Sequence, residues 1–323
     1  MASLPQPMTA AARNAQLGNQ FVLAQQIQME LADKLDLLAL GVVPLVGDLS
    51  GSGTTVIRVR HAGGIGWNAP LQQLSGETDS VPDASPTAGY TAVSLGQFGL
   101  GSSETFLARI TADDATRAAQ SIEAFKAMAV DSYKRMFRKQ VCSTGATMAS
   151  SVGNTSDTLS VDTLIALATA YNTTDGAADA GPLTVMLDPT PIEEVKASAR
   201  AEPAFQGDVE GFAMVQGLHG RVYENFLGLG MRVVGSSDVT QSGGGYNGFA
   251  FQPGGIGFAK ASTSPLSLDD KLNAVYADDF GLVMFDTPTS MDQQTLKSII
   301  MAYVGFALGD SSVTFQRKVL STT

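Results

Sequence analysis

The sequence is poor in the residues on which catalysis is usually built. Among 323 residues there is one cysteine, Cys142, and there are two histidines, His61 and His219. A single cysteine excludes an intrachain disulfide, so nothing calls for an oxidising compartment. Two distant histidines, one cysteine and scattered carboxylates have no metal-ligand spacing. There is no phosphate-binding GxxxxGK[ST] run, no His-Glu-x-x-His pair and no glycine–serine elbow. Gly51-Ser52-Gly53 lacks the lysine and the following helix that a phosphate cradle needs. No loop alternates oxygen ligands as a calcium site does. Charged residues make up 16% of the chain, against about a quarter in an ordinary soluble domain. The balance is acidic, at −11, which argues against sequence-specific DNA binding through a broad basic face. An acidic protein can still enclose DNA, because containment needs no affinity. No apolar run approaches the roughly 20 residues that span a bilayer, and no basic segment with an apolar core opens the chain. The reading is therefore no enzyme, no cofactor, no metal, no membrane, and a protein made in a cytoplasm.

Adjacent acids do not change this. Asp113-Asp114, Glu193-Glu194, Asp269-Asp270 and Asp278-Asp279 are neighbours in sequence, and neighbours share no face of a helix or a strand. The first three pairs suit helix or loop starts, and Asp278-Asp279 suits a turn between two apolar runs.

What is present is apolar and extended. Hydrophobic residues make up 44% of the chain, enough for a substantial core. Residues 9–40 read as a helix with Leu17, Phe21, Ala24, Leu31, Leu35 and Leu38 at three- and four-residue steps and Ile27 beside the stripe. That stripe either faces the chain's own core or lies on a neighbouring subunit, which makes Phe21, Ile27, Leu31 and Leu35 candidate inter-subunit contacts. Gly41 is placed to end this helix, with Pro44 beyond it. Residues 56–60 and 90–95 read as strands. Between them run about thirty residues rich in Gly, Ser, Pro, Asp and Thr, longer than a compact domain usually tolerates without structure. The only tryptophan, Trp67, lies in this stretch. It is either buried locally or an interface contact, where aromatic residues are enriched.

Residues 113–141 carry the strongest helical signal, with Ile122, Phe125, Ala129, Tyr133, Met136 and Phe137 in one stripe. Lys134, Arg135, Arg138 and Lys139 crowd its last turns. They either complement the helix dipole and pair with acids, or touch nucleic acid. Residues 142–157 are small and polar and read as a linker. A short helix follows at 161–171, then a buried strand at 183–187 and a helix from Thr190 to Glu202 with Pro191 near its first turn. Residues 231–234 and 249–251 are glycine-bounded strands. Residues 296–308 form a buried helix or strand, and 313–319 a terminal strand.

The order of these parts has a counterpart. Gly220-Arg221-Val222-Tyr223, then Gly230-Met231-Arg232-Val233-Val234-Gly235-Ser236-Ser237, then Asn247-Gly248-Phe249-Ala250-Phe251 through Ala261 carry the resemblance at residue level. With the helical arm, glycine-rich loop and long helix before them, they resemble the major capsid protein of tailed bacteriophages, an α+β protein of the Hong Kong 97 type. The resemblance implies an N-terminal arm over 1–45 and an extended loop over 46–109. It further implies a peripheral domain with a spine helix over 110–158, an axial domain over 159–272, and a return to the peripheral domain over 273–323. It implies a virion protein assembled in the host cytoplasm as pentamers and hexamers of itself, forming an icosahedral shell around double-stranded DNA held without sequence specificity. A portal, a separate scaffolding protein and decoration proteins are the implied partners, since only about 45 residues precede the loop. Arg58, Arg60 and Arg109 would pair with acids of the adjacent subunit. Some family members cross-link this loop through a lysine. Here no lysine lies between Lys34 and Lys126, which excludes that bond from the loop. The alternatives are an encapsulin-like nanocompartment shell or an α/β enzyme without a recognisable motif.

Overall fold

The computed structural model describes residues 26–31, 35–50, 52–62, 88–105, 116–174, 181–201, 222–239, 241–242, 245–261, 274–277, 280–290, 295–311 and 314–322. After a helical stretch at 26–31, its elements in chain order are α1 (Asp36–Ala39), β1 (Leu45–Asp48), β2 (Val56–Ala62), β3 (Ala88–Ser94), β4 (Gly96–Thr105) and α2 (Thr116–Gly145). There follow β5 (Ser151–Gly153), α3 (Val161–Asn172), β6 (Leu183–Leu187), α4 (Pro189–Ala201), β7 (Val222–Tyr223), β8 (Met231–Gly235), β9 (Gln241–Ser242) and β10 (Gly245–Phe251). The chain closes with β11 (Ile256–Lys260), β12 (Ala274–Ala277), β13 (Leu282–Ser290), β14 (Thr295–Leu308) and β15 (Gln316–Thr322).

The first sheet has the order β1-β11-β14-β13-β12, with β4 also paired to β14. Strand β14 organises it. Its 14 residues are long enough to pair with β4 from Thr295 to Val304, with β13 from Thr295 to Ala302, and with β11 from Val304 to Leu308. The sequence left 296–308 open between helix and strand. Alternation settles it: Ile300, Ala302 and Val304 are buried, while Met301 and Tyr303 between them are half-exposed. Helix α2 lies on this sheet. The Phe137 ring meets Phe258 and Phe306 edge-on at 5.5 and 5.0 Å, a favoured aromatic geometry. The buried Tyr133 hydroxyl donates to the Phe280 carbonyl at 2.8 Å.

The N-terminal segment joins the same core. Residues 26–31 are helical, Leu35 lies outside a helix, and α1 resumes at Asp36. Gly41 ends α1 as expected, with φ +65°. Its amide donates to the Leu38 carbonyl at 2.9 Å and the Val42 amide to Leu37 at 2.9 Å. These are the paired bonds of a Schellman cap, and the accompanying apolar contact is supplied by buried Val42 and Leu37.

The second sheet has the order β5-β15-β10-β6-β8-β7, with β9 on β10. It is covered on both sides. Met186, Val234, Phe249 and Phe251 enter the core of α2 and the first sheet. Leu183, Val185, Leu187, Val233 and Ala250 enter a second core with Leu164, Leu167 and Tyr171 of α3 and Ile192 and Val195 of α4. Double coverage explains the unbroken Leu-Thr-Val-Met-Leu run of β6, all of it buried. Helix α3 starts where Ser160 accepts from the Thr163 amide at 3.3 Å.

One expectation changes here. Residues 142–145 are not linker but the last turn of α2. Val141 and Cys142 are buried, and a Cβ on Gly145 would sit 2.6 Å from the Phe249 ring, so glycine lets the helix end close to the second sheet. Strand β11 belongs to the first sheet and β15 to the second.

The two later crossings between the sheets, at 251–256 and 308–316, run side by side. Buried Gln252 and Gln316 pin them together. Gln252 Oε1 accepts from the Phe315 amide at 3.1 Å, and Gln316 Nε2 donates to the carbonyls of Gly309 (2.7 Å) and Gly255 (3.2 Å) and to Thr314 Oγ1 (2.6 Å). Replacing Gln316 by Leu strands the Gly309 carbonyl in the interior. The expected loss is about 1–3 kcal/mol of unfolding free energy, read as a lower denaturation midpoint. An unchanged midpoint would mean that the side chain is dispensable.

Candidate inter-subunit surfaces

The hairpin of β2 and β3 stands apart from both sheets. Its arms pair from Val56↔Ser94 to Ala62↔Ala88, and among the described residues they form a sheet of two strands. Seven residues per arm give a ribbon about 23 Å long. Such an isolated ribbon is marginal in water.

Its root, by contrast, is fixed. The Leu95 amide donates to the Thr55 carbonyl at 2.9 Å. Val93 is buried with Leu49 and Ala259, and Val46, Ile57, Leu95 and Ala307 pack around them. Ser94 crosses β14 at Gly305, where a Cβ would lie 2.1 Å from the Ser94 carbonyl oxygen. Only a residue without a side chain permits that approach. Sequence reading missed Gly305; its signal is a lone glycine inside an apolar strand pattern.

The candidate contacts are not all brought together. Arg58 is exposed on β2, and Arg60 lies two residues along the same strand. Phe21, Trp67, Arg109 and the loop segment 63–87 lie outside the described residues. Ile27, Leu31 and Leu35 are 0%, 0% and 2% exposed, within the core that contains Phe137 and Val141. Their side chains are spent on this chain's own interior and are not free for a neighbour, which corrects their place among the contact candidates. The apolar stripe was legible, but the sequence did not say which copy it packs on.

The basic group sits where α2 turns away from its core. Arg135 and Lys139 are exposed, and Lys134 and Arg138 are half-buried. The helix continues to Gly145, and its last turn holds no basic residue. A dipole effect fades within that last turn, so it does not account for these four.

Nothing described resembles an activated group. Burial pushes the Cys142 thiol up to about 12, the reverse of a reactive thiolate. Burial likewise raises the Tyr133 phenol. Among the described residues no three His, Cys, Asp or Glu side chains gather as a metal site would need. Nor, among them, is any helix long and apolar enough to cross a membrane.

Among the described residues one carboxylate is perturbed. Burial acts to raise Asp48, but hydrogen bonds from Ser50 and the Lys260 ammonium, 3.7 Å away, outweigh it and hold the carboxyl below its usual range. A depressed carboxylate stabilises the fold above its unfolded pKa of about 3.9 and loses that contribution as pH falls through the folded value. The side chain is 45% exposed, so the expected contribution is under about 1 kcal/mol. Asp48→Asn should lower stability slightly at neutral pH, and the difference should fade as pH falls through the depressed folded pKa, as urea midpoints at neutral and acid pH would show.

Two sheets sharing β10–β11 and β14–β15 crossings, one long helix on the first sheet and a rooted hairpin define a single α+β architecture, the Hong Kong 97-type capsid fold. By sequence, no protein-family model and no curated protein matches the chain. By structure, the chain is similar to the capsid of cyanophage P-SCSP1u, at 10% identity over 86% of each chain with a TM-score of 0.52. It is similar to a protein of Mycobacterium phage Che8, at 10% identity over 88% of this chain and 90% of that one, with a TM-score of 0.51. It is also similar to a protein of the head of Helicobacter pylori bacteriophage KHP40, at 10% identity over 86% and 89%, with a TM-score of 0.51.

Proposed function

We propose that this chain is a structural shell subunit, a major capsid protein that assembles as pentamers and hexamers into an icosahedral shell around double-stranded DNA. The observation that carries this reading is the hairpin. Its root is packed and hydrogen-bonded, yet its two strands project with no third strand beside them among the described residues. Copies of the chain can supply the missing surface, and an obligate interface of this kind buries about 2,000–5,000 Å². The low charge density suits such contacts. A portal, a scaffolding protein and decoration proteins are the expected partners, and the virion is the expected location. The fold's capsid neighbours favour a structural role over an enzymatic one.

The test is to express the full chain, separate it on a sucrose gradient and image the fast fraction by electron microscopy. Uniform closed shells are expected. A small oligomer alone would overturn the reading, and shells filled with protein cargo would move it to a nanocompartment.

A further inference from the structure

The outward face of α2 carries charge that its core packing does not explain. The described part of the helix holds Lys134, Arg135, Arg138 and Lys139 against Asp131, in a chain whose net charge is −11. Buried Tyr133, Phe137 and Val141 fix which side of the helix faces the first sheet. On the other side the exposed ridge runs Asp131, Arg135, Lys139, Ser143 at four-residue steps. Lys134 and Arg138 flank it, half-buried. Asp131 lies one turn before Arg135, and Asp238 and Arg138 both act on Cys142. Asp131 and Asp238 therefore temper the face.

We propose that this face contacts the phosphates of the enclosed duplex and so marks the lumenal side of the subunit, an inference that rests on the shell reading above. The choice of partner follows from what the ridge lacks. A docked protein segment needs a central apolar or aromatic anchor, and the exposed positions of this ridge are charged or small. Phosphates need only cations, and they carry no sequence requirement. The surrounding negative charge keeps such contacts weak and dependent on salt, as suits DNA that must be packed and later released.

The test uses the full chain in its slow-sedimenting, unassembled fraction, with a fluorescent mixed-sequence duplex of about 20 base pairs followed by anisotropy. Binding is expected at about 50 mM salt. Arg135→Gln with Lys139→Gln should weaken it by at least about tenfold and lower the slope of log affinity against log salt by about 2. Arg135→Lys with Lys139→Arg should bind as the parent does. Matched melting curves for both pairs report that the helix is intact. Closed shells should not bind duplex added from outside. No binding at low salt, equal binding by the glutamine pair, or equal binding by closed shells overturns the proposal. Displacement of the duplex by polyglutamate at a small fraction of the duplex's charge concentration also overturns it, pointing instead to an acidic protein. Shell formation is scored separately by microscopy. Shells whose free subunits ignore the duplex overturn this contact alone, and failure to form any shell overturns both readings.

Discussion

Deleting residues 63–87 and closing the hairpin with Asn-Gly should leave a folded subunit that no longer forms closed shells. Ala62 and Ala88 are register partners, so a two-residue turn can join them without shifting either arm. Among the described residues, the contacts that root the hairpin lie outside the deletion: Leu95 to Thr55, Val93 with Leu49 and Ala259, and Ser94 over Gly305. The melting temperature of the free subunit should therefore change little. Assembly should change greatly, because the removed segment is proposed to supply contact surface between copies. Sedimentation should show the fast fraction lost, with only slow species left. Normal particles from the deleted chain would defeat the assignment of this segment to assembly, whereas a collapsed melting curve would show that the tip supports the subunit itself.

Gly305→Ala should be the most damaging single methyl group in the first sheet. The added carbon would lie 2.1 Å from the Ser94 oxygen and 2.8 Å from the Ser94 carbonyl carbon. Both are backbone atoms, so no rotamer change relieves the overlap. Strand β3 must lift from β14, opening the cluster of Leu49, Val93 and Ala259. A loss of about 2–4 kcal/mol is expected, together with failure to form shells even where the subunit survives. Gly99→Ala is the control on β4. There the new carbon meets the Ile300 oxygen at 3.5 Å, an ordinary contact, and the loss of glycine's backbone freedom offsets any small strain. Urea midpoints of the two variants should differ by most of the predicted amount, and equal midpoints would refute the proposed close approach.

Helices and short apolar strands were readable because their signals are local. The stripe around Tyr133 and Phe137, the cap at Gly41 and the buried run 183–187 each depend on residues a few positions apart. What could not be read depends on partners far away in sequence. Residues 142–145 look like linker until the Phe249 ring is known to lie against Gly145, 104 positions later. Gln252 and Gln316 look like surface residues until Gln252 is seen to bond the Phe315 amide, and Gln316 the Gly255 carbonyl, of the opposite crossing. The destination of the Ile27, Leu31 and Leu35 stripe is of the same kind, since periodicity says that a face is buried and not what buries it. The basic group on α2 was visible as a cluster, but its relation to the helix end required the position of Gly145.

Strand β15 lies between β10 and β5, yet it follows β14 in the chain. The second sheet therefore has an open slot until the whole of the first has been synthesised. A ribosome making this polypeptide delivers no completed half that could mature early, and the nascent chain must wait for long-range pairings before either core closes. Slow, late folding follows from such non-local topology. It would keep half-made copies out of the proposed shell.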